Sequence, residues 1–226
     1  MDFSLSSKSE DLRKRVGTFM DQHVYAAEKD VLSHERADSH EEHPVMKEIR
    51  KKAKAEGLWN LFLPDKEFGA GLTNHEYAPL CELMGRSPLG ARAFNCMAPD
   101  TGNMEILAEY GSKDQKDRWL KKCLDGEIRT CFSMTEPDTP GSDPTQLKTR
   151  AVRQGDYYVI NGHKWFTSGA IGAAFAIAMV VTDPDAEPHR RASQIIVPID
   201  TPGFNLIRPV PVMGHVGGGG HCEIIY

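Results

Sequence analysis

The sequence has little of what marks membrane proteins or nucleic-acid-binding proteins. Its longest apolar run, residues 170–181, is too short to span a bilayer and is interrupted by Gly172. We therefore expect no membrane span and interpret the run as a buried strand. Lysine and arginine number 27 against 32 acidic residues, which gives a formal net charge of −5. Because nucleic acids and anionic membranes attract basic surfaces, this balance argues against both as partners.

Targeting signals and disulfide patterns are also missing. The first residues, MDFSLSSKSED, lack the basic and apolar regions of a signal peptide and are too acidic for a transit peptide. The five cysteines are scattered along the chain without a C-x-x-C pair. We expect reduced, mostly buried thiols rather than a disulfide framework. Together these features predict a cytoplasmic protein.

Common catalytic and metal-binding motifs are absent as well. The sequence contains no G-x-S-x-G nucleophile motif and no H-E-x-x-H metal motif. The glycine run at residues 214–222 matches neither phosphate-binding pattern, and we interpret it as a flexible connector. Two groups contain possible metal ligands, although a solvated charged turn and a connector explain them better. They are His34, Glu35, His40, Glu41, Glu42 and His43, and His215, His221 and Cys222.

The first half of the chain is predicted to be helical. Capping boxes, in which a hydroxyl residue and a Glu or Gln three positions later satisfy backbone amides, begin at Thr73 and Ser112. Gly111 and Gly126 are placed to end the helices before them. The charged tail of the first helix is expected to be solvated rather than packed. The predicted helices cover residues 8–32, 45–56, 74–84, 103–110 and 113–125.

From about Thr130 the hydrophobic period changes to two, which is typical of strands. Turn signals at Gly155-Asp156 and Asn161-Gly162 separate three short strands. Further strands are predicted at residues 175–182, 194–198, 205–209 and 222–226. Short strands between turns favour an antiparallel barrel or sandwich. The predicted fold class is therefore α+β, with an all-helical domain at residues 1–129 followed by a mostly antiparallel β-barrel domain at residues 130–226.

Two polar segments in the second half have the composition of a cofactor site. The first, CFSMTEPDTPGSDP, sets hydroxyls in a proline-stiffened turn, and the second, NGHKWFTSGA, adds aromatic faces and further hydroxyls. A flavin needs both, because its rings lie against apolar side chains and its edges accept hydrogen bonds. A small residue pair such as Gly141-Ser142 allows the close backbone approach that the diphosphate of FAD requires.

These two segments resemble the flavin signatures of the acyl-CoA dehydrogenase family. The stretch GLWNLFLPDKEFGAGLTNHEYAPLCELMGRSP resembles the helical N-terminal pattern of the family, so the resemblance runs over the whole chain. The segment NCMAPDTGNMEIL is most similar to the branch that contains the mammalian family members ten and eleven. The family fold has a helical domain, a middle β-barrel and a C-terminal four-helix bundle. The resemblance implies that the bundle is absent from this chain.

The resemblance implies an FAD-dependent enzyme of fatty acid β-oxidation that acts on an acyl-CoA thioester. In the family a carboxylate takes the acidic α-proton, the β-hydrogen leaves as hydride to flavin N5, and the electrons pass to an electron-transfer flavoprotein. The resemblance also implies a homo-oligomer, either a dimer or a tetramer. Three alternatives stay open: an acyl-CoA oxidase, a flavin monooxygenase-like relative of the same fold, and a non-catalytic fragment that binds flavin or acyl-CoA.

The resemblance also implies residue roles. Thr135 would face the pyrimidine edge of the flavin, Ser142 would reach the diphosphate or the CoA arm, and either Thr167 or Ser168 would lie beside N5. The residues implied for flavin binding are Phe132, Met134, Thr135, Gly141, Ser142, Trp165, Phe166, Thr167 and Ser168. Those implied for substrate binding are Ser142 and, at the start of a helix, Asp100, Gly102 and Asn103.

No residue of the sequence is assigned as the catalytic base. The family places its catalytic Glu in the C-terminal bundle, and Glu136 is expected to belong to the scaffold of its loop. The sequence stops at Tyr226 within a predicted strand. We therefore expect a middle domain truncated at its C-terminal end and a base outside these 226 residues.

Overall fold

The computed structural model describes residues 4–36, 41–214 and 219–226. His40 and His215, named above as possible metal ligands, lie outside the described residues, as does part of the glycine run. The chain forms two compact units, Met1–Glu127 and Ile128–Tyr226, called here the helical unit and the sheet unit. The prediction of a helical domain followed by a mostly antiparallel sheet domain is confirmed.

The helical unit begins with one long helix that is interrupted by a π-helical segment. That segment is Met20–Val24, and a second π-helical segment, Lys116–Leu120, lies near the end of the unit. The α-helices are α1 (Ser7–Phe19), α2 (Tyr25–Arg36), α3 (Pro44–Ala55), α4 (Asn74–Met84), α5 (Gly90–Ala93), α6 (Asp100–Tyr110), α7 (Lys113–Gln115) and α8 (Lys121–Leu124). The five predicted helical regions are therefore present.

The tail of the first helix differs from its predicted course. We expected a solvated segment after residue 32, but α2 continues to Arg36. Glu35 is buried there, and its carboxylate accepts a hydrogen bond from the Arg92 guanidinium at 2.5 Å. A buried carboxylate is stable only when it is paired, so this partner in α5 explains why the charged tail packs. Sequence spacing does not reveal that partner, because it lies 57 positions away.

One apolar core holds the helical unit together. The buried residues of α1 recur at a spacing of three or four, which places them on one face of the helix. That face packs with apolar side chains of α3 and α4 and with Phe94, whose ring centroid lies 5.1 Å from that of Phe19. Fully buried members include Val16, Phe19, Met20, Met46, Leu80 and Phe94.

Both predicted capping boxes are present. At the start of α4 the Glu76 amide donates to Thr73 Oγ1 at 3.3 Å, and the Thr73 amide donates to Glu76 Oε2 at 3.0 Å. The hydroxyls of Ser6 and Thr73 also donate to this carboxylate, at 2.7 and 3.1 Å. At the start of α7, Ser112 and Gln115 make the equivalent pair of bonds at 3.2 and 2.9 Å. Local sequence therefore sets where these helices begin.

The described residues of the sheet unit form eight strands in two sheets. The strands are β1 (Arg129–Ser133), β2 (Arg150–Gln154), β3 (Tyr157–Asn161), β4 (His163–Ser168), β5 (Ala173–Val181), β6 (Ala192–Pro198), β7 (Asn205–Pro209) and β8 (His221–Ile225). The five-stranded sheet has the order β1-β5-β2-β3, with β6 also paired to β5, and the three-stranded sheet has the order β4-β8-β7. The predicted strands are all present.

Strand β5 is the centre of the larger sheet. It pairs with β6 in antiparallel register and with β1 in parallel register, with Phe132 opposite Ile177. Because most of its residues are buried, its sequence is continuously apolar rather than alternating. The parallel pairing with β1 was not predicted. Strand β1 is only five residues long, and its pairing with a strand more than 40 residues away leaves no local signal.

Three further predictions concern whole classes of structure. None of the described helices is long and apolar enough to cross a membrane. Among the described residues, no group of three or more His, Cys, Asp or Glu side chains is arranged to hold a metal ion. All five cysteines fall within the described ranges and carry thiols rather than disulfides, and three of them are buried: Cys123, Cys131 and Cys222.

The capping box of α4 makes a pH-dependent contribution to stability. Hydrogen bonds from the Thr73 amide, the Ser6 hydroxyl and the Thr73 hydroxyl lower the pKa of Glu76 from 4.5 to about 2. A lowered folded-state pKa stabilises the fold above the unfolded pKa, and this contribution is lost as the pH falls toward the folded value. We expect the stability difference between wild type and E76Q to be constant at neutral pH and to shrink between about pH 4.5 and pH 2.

Urea unfolding, followed through the fluorescence of Trp59 and Trp119 in the helical unit, measures this difference. Q115A is the matched control, because Gln115 occupies the same capping position in α7 without an ionisable group. Its effect should not change with pH. A pH-independent effect of E76Q would contradict the prediction.

Candidate functional site

The loop that follows β1 is anchored by a buried carboxylate. Glu136 is 4% exposed, and its two oxygens accept hydrogen bonds from the backbone amides of Lys148 at 2.7 Å and Thr149 at 2.8 Å. These amides lie on the far side of the loop, immediately before β2. The carboxylate therefore closes the loop that contains TEPDTPGSD. This is the scaffold role expected of Glu136.

Lys164 of β4 completes this anchor. Its side chain is fully buried, and the ammonium group donates to Glu136 Oε1 at 3.0 Å and to the carbonyl of Met134 at 2.8 Å. Burial raises the pKa of Glu136, but the hydrogen bonds from Thr149, Lys148 and Lys164 outweigh that effect and lower it. Burial lowers the pKa of Lys164, and Glu136 offsets part of the change. Each partner therefore favours the charged form of the other.

The same anchor brings the two predicted cofactor segments together. Next to the ion pair, the Trp165 amide donates to the carbonyl of Thr135 at 2.7 Å. Gly141 then lies against the Thr135 side chain, since a Cβ atom on that glycine would come within 3.2 Å of Thr135 Cγ2. Thr135 and Trp165 are half-buried, whereas Gly141 and Ser142 are exposed. The two segments thus form one continuous surface.

Strand β4 changes direction at Phe166. This residue has a positive φ of 53°, and the pairing with β8 contains a bulge between Lys164 and Thr167. A bulge re-aims the side chains on either side of it. Phe166 is left 45% exposed, whereas Thr167 is fully buried and its hydroxyl lies 3.2 Å from the hydroxyl of Ser133. The next residue, Ser168, is half-buried, and its hydroxyl lies 2.7 Å from His221 Nδ1.

Trp165 belongs to a charged network that crosses the three-stranded sheet. The Arg208 guanidinium lies 5.4 Å from the centre of the Trp165 ring, and its Nε donates to Glu223 Oε2 at 2.8 Å. The other oxygen of Glu223 lies 2.8 Å from His163 Nε2. Burial raises the pKa of Glu223, but the bonds to His163 and Arg208 lower it. Arg208 thus links the indole ring to Glu223.

The far end of the first segment is also organised by a carboxylate. Asp143 Oδ1 accepts from the Thr145 amide at 3.0 Å and from its hydroxyl at 2.6 Å, and Oδ2 accepts from Gln146 at 2.7 Å. These bonds lower the pKa of Asp143. Ser142 is exposed beside this turn.

The remaining candidate residues lie in different surroundings. Phe132 and Met134 are half-buried beside the anchor, at the end of β1 and just after it. Asp100 and Asn103 are buried in the first turn of α6, while a Cβ atom on Gly102 would meet nothing within 4 Å. These three residues belong to the helical unit, and the flavin candidates belong to the sheet unit.

Two residues of this site were missed by sequence reasoning. Lys164 was quoted within its segment but given no role, although a lysine at the inward position of a strand signals a buried carboxylate partner. His221 was considered only as a metal ligand, and its contact with Ser168 depends on strand register. That register pairs Ser168 with His221 and Thr167 with Cys222.

The buried ion pair should be strongly coupled. Removing one partner leaves an uncompensated buried charge, so we expect K164M to destabilise the sheet unit by about 3 to 5 kcal/mol. The double variant E136Q/K164M should cost less than the sum of its two single variants. In a W59F/W119F background Trp165 alone reports urea unfolding of the sheet unit.

R153M provides the matched control, since Arg153 is an exposed cation on β2 of the same unit. It should change stability by no more than about 0.5 kcal/mol. Additive costs for the two buried substitutions would show that the pair is not coupled.

Comparisons with known proteins identify the family. The model of the acyl-CoA dehydrogenase N-terminal domain matches residues 6–127, and the model of the middle domain matches residues 131–226. A protein named as acyl-CoA dehydrogenase FadE2 of Mycobacterium tuberculosis is 48% identical over 100% of this chain and 56% of its own length. Mouse acyl-CoA dehydrogenase family member 10 is 46% identical over 97% of this chain and 21% of its own length.

Solved structures give the same result. An acyl-CoA dehydrogenase homologue from Mycobacterium abscessus matches with a TM-score of 0.94 and 43% identity, covering 99% of this chain and 58% of that one. The acyl-CoA dehydrogenase of Geobacillus kaustophilus matches with a TM-score of 0.71 and 27% identity, covering 98% and 56%. The chain spans little more than half the length of the mycobacterial relative. It belongs to the acyl-CoA dehydrogenase family.

Proposed function

We propose that this chain is the helical and sheet part of an FAD-dependent acyl-CoA dehydrogenase. The proposed reaction is α,β-dehydrogenation of an acyl-CoA thioester in fatty acid β-oxidation, with electrons passed to an electron-transfer flavoprotein. The observation that carries this proposal is the junction between Thr135 and Trp165, which places both flavin signatures on one surface. A purely structural protein has no need to expose Phe166 and Ser142 there.

The chemistry of the surface fits FAD, which supplies the hydride acceptor when bound. Trp165 and Phe166 offer flat apolar faces, and Thr135, Ser142 and Ser168 offer hydroxyls. In our proposal Gly141 and Ser142 approach the diphosphate, and Thr135 meets the pyrimidine edge of the ring. Phe132 and Met134 contribute apolar contacts beside Thr135.

The two hydroxyl residues of β4 take different roles in this proposal. Thr167 is buried and its hydroxyl contacts Ser133, so it supports the strand from behind. Ser168 is partly exposed next to Phe166 and is the residue of the two that meets the flavin near N5. Our proposal therefore assigns the contact near N5 to Ser168 rather than to Thr167.

Substrate binding, domain limits and assembly are part of the same proposal. Ser142 reaches the CoA arm, and Asp100, Gly102 and Asn103 form part of the acyl pocket wall. The two domains are residues 1–129 and residues 130–226. The protein acts in the cytoplasm as a homo-oligomer of two or four chains.

The catalytic base is proposed to lie outside these 226 residues. Glu136, the glutamate of the first flavin signature, is hydrogen-bonded to two backbone amides and to Lys164. Those contacts lower its pKa and leave its oxygens occupied. A carboxylate so engaged is a poor proton acceptor for a substrate.

Flavin binding tests the cofactor assignment directly. We expect T135V to weaken FAD binding about 10-fold, because a hydrogen bond to the ring is lost. Thr139 is the matched control, since it lies in the same loop and T139V changes the same atoms. Fluorescence titration of the purified apoprotein with FAD measures both variants. Failure of the wild-type chain to bind FAD, or an equal loss in T139V, would overturn the assignment.

Anaerobic titration with acyl-CoAs tests the reaction. With FAD bound, the 226-residue chain should keep an oxidised visible flavin band, because the base is not among its residues. A protein extended to the full length of its relatives should bleach when the same acyl-CoAs are added. An extended protein that stays oxidised across short-, medium- and long-chain substrates would reject the dehydrogenase assignment.

A further inference from the structure

We propose that His221 is a positioning residue, which fixes the direction of the Ser168 hydroxyl and so the hydrogen bond that this serine offers to the flavin. The inference rests on the proposed function, since it concerns the same cofactor surface. It assigns a role to a histidine outside both flavin segments. The histidine acts through Ser168 rather than on the cofactor itself.

The contact is built into the sheet. Ser168 and His221 stand directly opposite each other in the antiparallel pair of β4 and β8, and Oγ lies 2.7 Å from Nδ1. The register is held on both sides, because Thr167 pairs with buried Cys222 and the Gly169 amide donates to the carbonyl of Gly220 at 2.8 Å. A one-residue slip would separate the two side chains, so their contact follows from the backbone.

The approach of the chain to His221 is also tightly packed. A Cβ atom on Gly220 would lie 3.1 Å from Cys222 Sγ and 3.3 Å from Pro209 Cβ. Gly220 has a φ of 69°, a conformation that favours glycine. The conformation of the backbone at Gly220 is therefore restricted, and this fixes the position from which the His221 side chain extends.

The contact between Ser168 and His221 affects the hydrogen bond that the serine hydroxyl can make to a ligand. A serine hydroxyl has a single hydrogen to donate and two lone pairs that accept. When His221 Nδ1 carries a hydrogen, Oγ accepts it and the serine hydrogen is directed at the ligand. When Nδ1 lacks a hydrogen, the serine donates to His221 and presents a lone pair to the ligand. In either case His221 determines whether the Ser168 hydroxyl donates a hydrogen bond to the ligand or accepts one from it.

Without His221 the hydroxyl has a weaker local alternative. Ser168 Oγ lies 3.4 Å from the carbonyl oxygen of Phe166, at the outer limit of hydrogen-bond distance. Removal of the imidazole therefore lets the hydroxyl rotate between this carbonyl and the ligand. Because the hydroxyl then no longer points steadily at the ligand, flavin binding should weaken.

A double-mutant cycle tests the inference. We expect H221L to raise the dissociation constant of FAD about 3- to 10-fold, the usual range for one hydrogen bond. H221N should recover most of the affinity, because its amide can hydrogen-bond near the position of Nδ1. H221L should have no further effect in an S168A background, since the histidine acts through the serine.

The visible flavin spectrum gives a second readout from the same titrations. The band of H221L should shift in the same direction as that of S168A, and H221N should resemble wild type. Thermal unfolding of each variant shows whether loss of folding explains a change. If H221L does not fold, the hydrogen bond can still be measured without that variant. The ring ¹⁵N resonances of His221 are then compared between wild type and S168A.

The outcomes separate this inference from the proposed function. Failure of wild type to bind FAD overturns the proposed function. Normal FAD binding with additive effects of H221L and S168A, or no effect of H221L, overturns the role of His221 alone. Ring resonances that are unchanged in S168A also overturn it.

Discussion

The buried ion pair between Glu136 and Lys164 is the interaction on which the candidate site depends. Two charges removed from water are costly unless each finds enough partners. Glu136 meets this requirement with two backbone amides, and Lys164 meets it with a backbone carbonyl. The pair therefore joins three separate stretches of backbone: the loop after β1, the start of β2, and β4. An apolar pair of the same size would pack there without specifying which backbone groups come together.

The bulge at Phe166 determines which side chains of that anchored strand face the candidate site. Regular alternation along β4 would place successive side chains on opposite faces throughout. The left-handed conformation of Phe166 breaks the alternation immediately after Lys164 and Trp165. As a result the strand buries a charged lysine and a threonine hydroxyl, yet exposes an aromatic ring between them. Strain at this residue is tolerated because the ion pair and the Thr167 contact with Ser133 hold the strand on both sides.

Sequence reasoning succeeded where the determining signals are local. The capping boxes at Thr73 and Ser112 place helix starts because each box is complete within four residues. It failed where a distant partner decides, as with the parallel pairing of β1 to β5 and the burial of Glu35 against Arg92. The candidate site shows the same division. The composition of two segments predicts a flavin surface, and that stays a prediction, whereas the contact between Ser168 and His221 requires a register that only the paired strands reveal.

Three carboxylates of the sheet unit have structural roles rather than the role of a catalytic base in the proposed enzyme. Glu136, Asp143 and Glu223 all lie in or beside the candidate surface, and the pKa of each is lowered. Each holds backbone or side chains in place: Glu136 closes a loop, Asp143 shapes a turn, and Glu223 joins His163 to Arg208. A general base needs the opposite arrangement, with a pKa near the working pH and an oxygen open to the substrate. These three carboxylates build the candidate surface, which agrees with the proposal that the catalytic base lies outside these 226 residues.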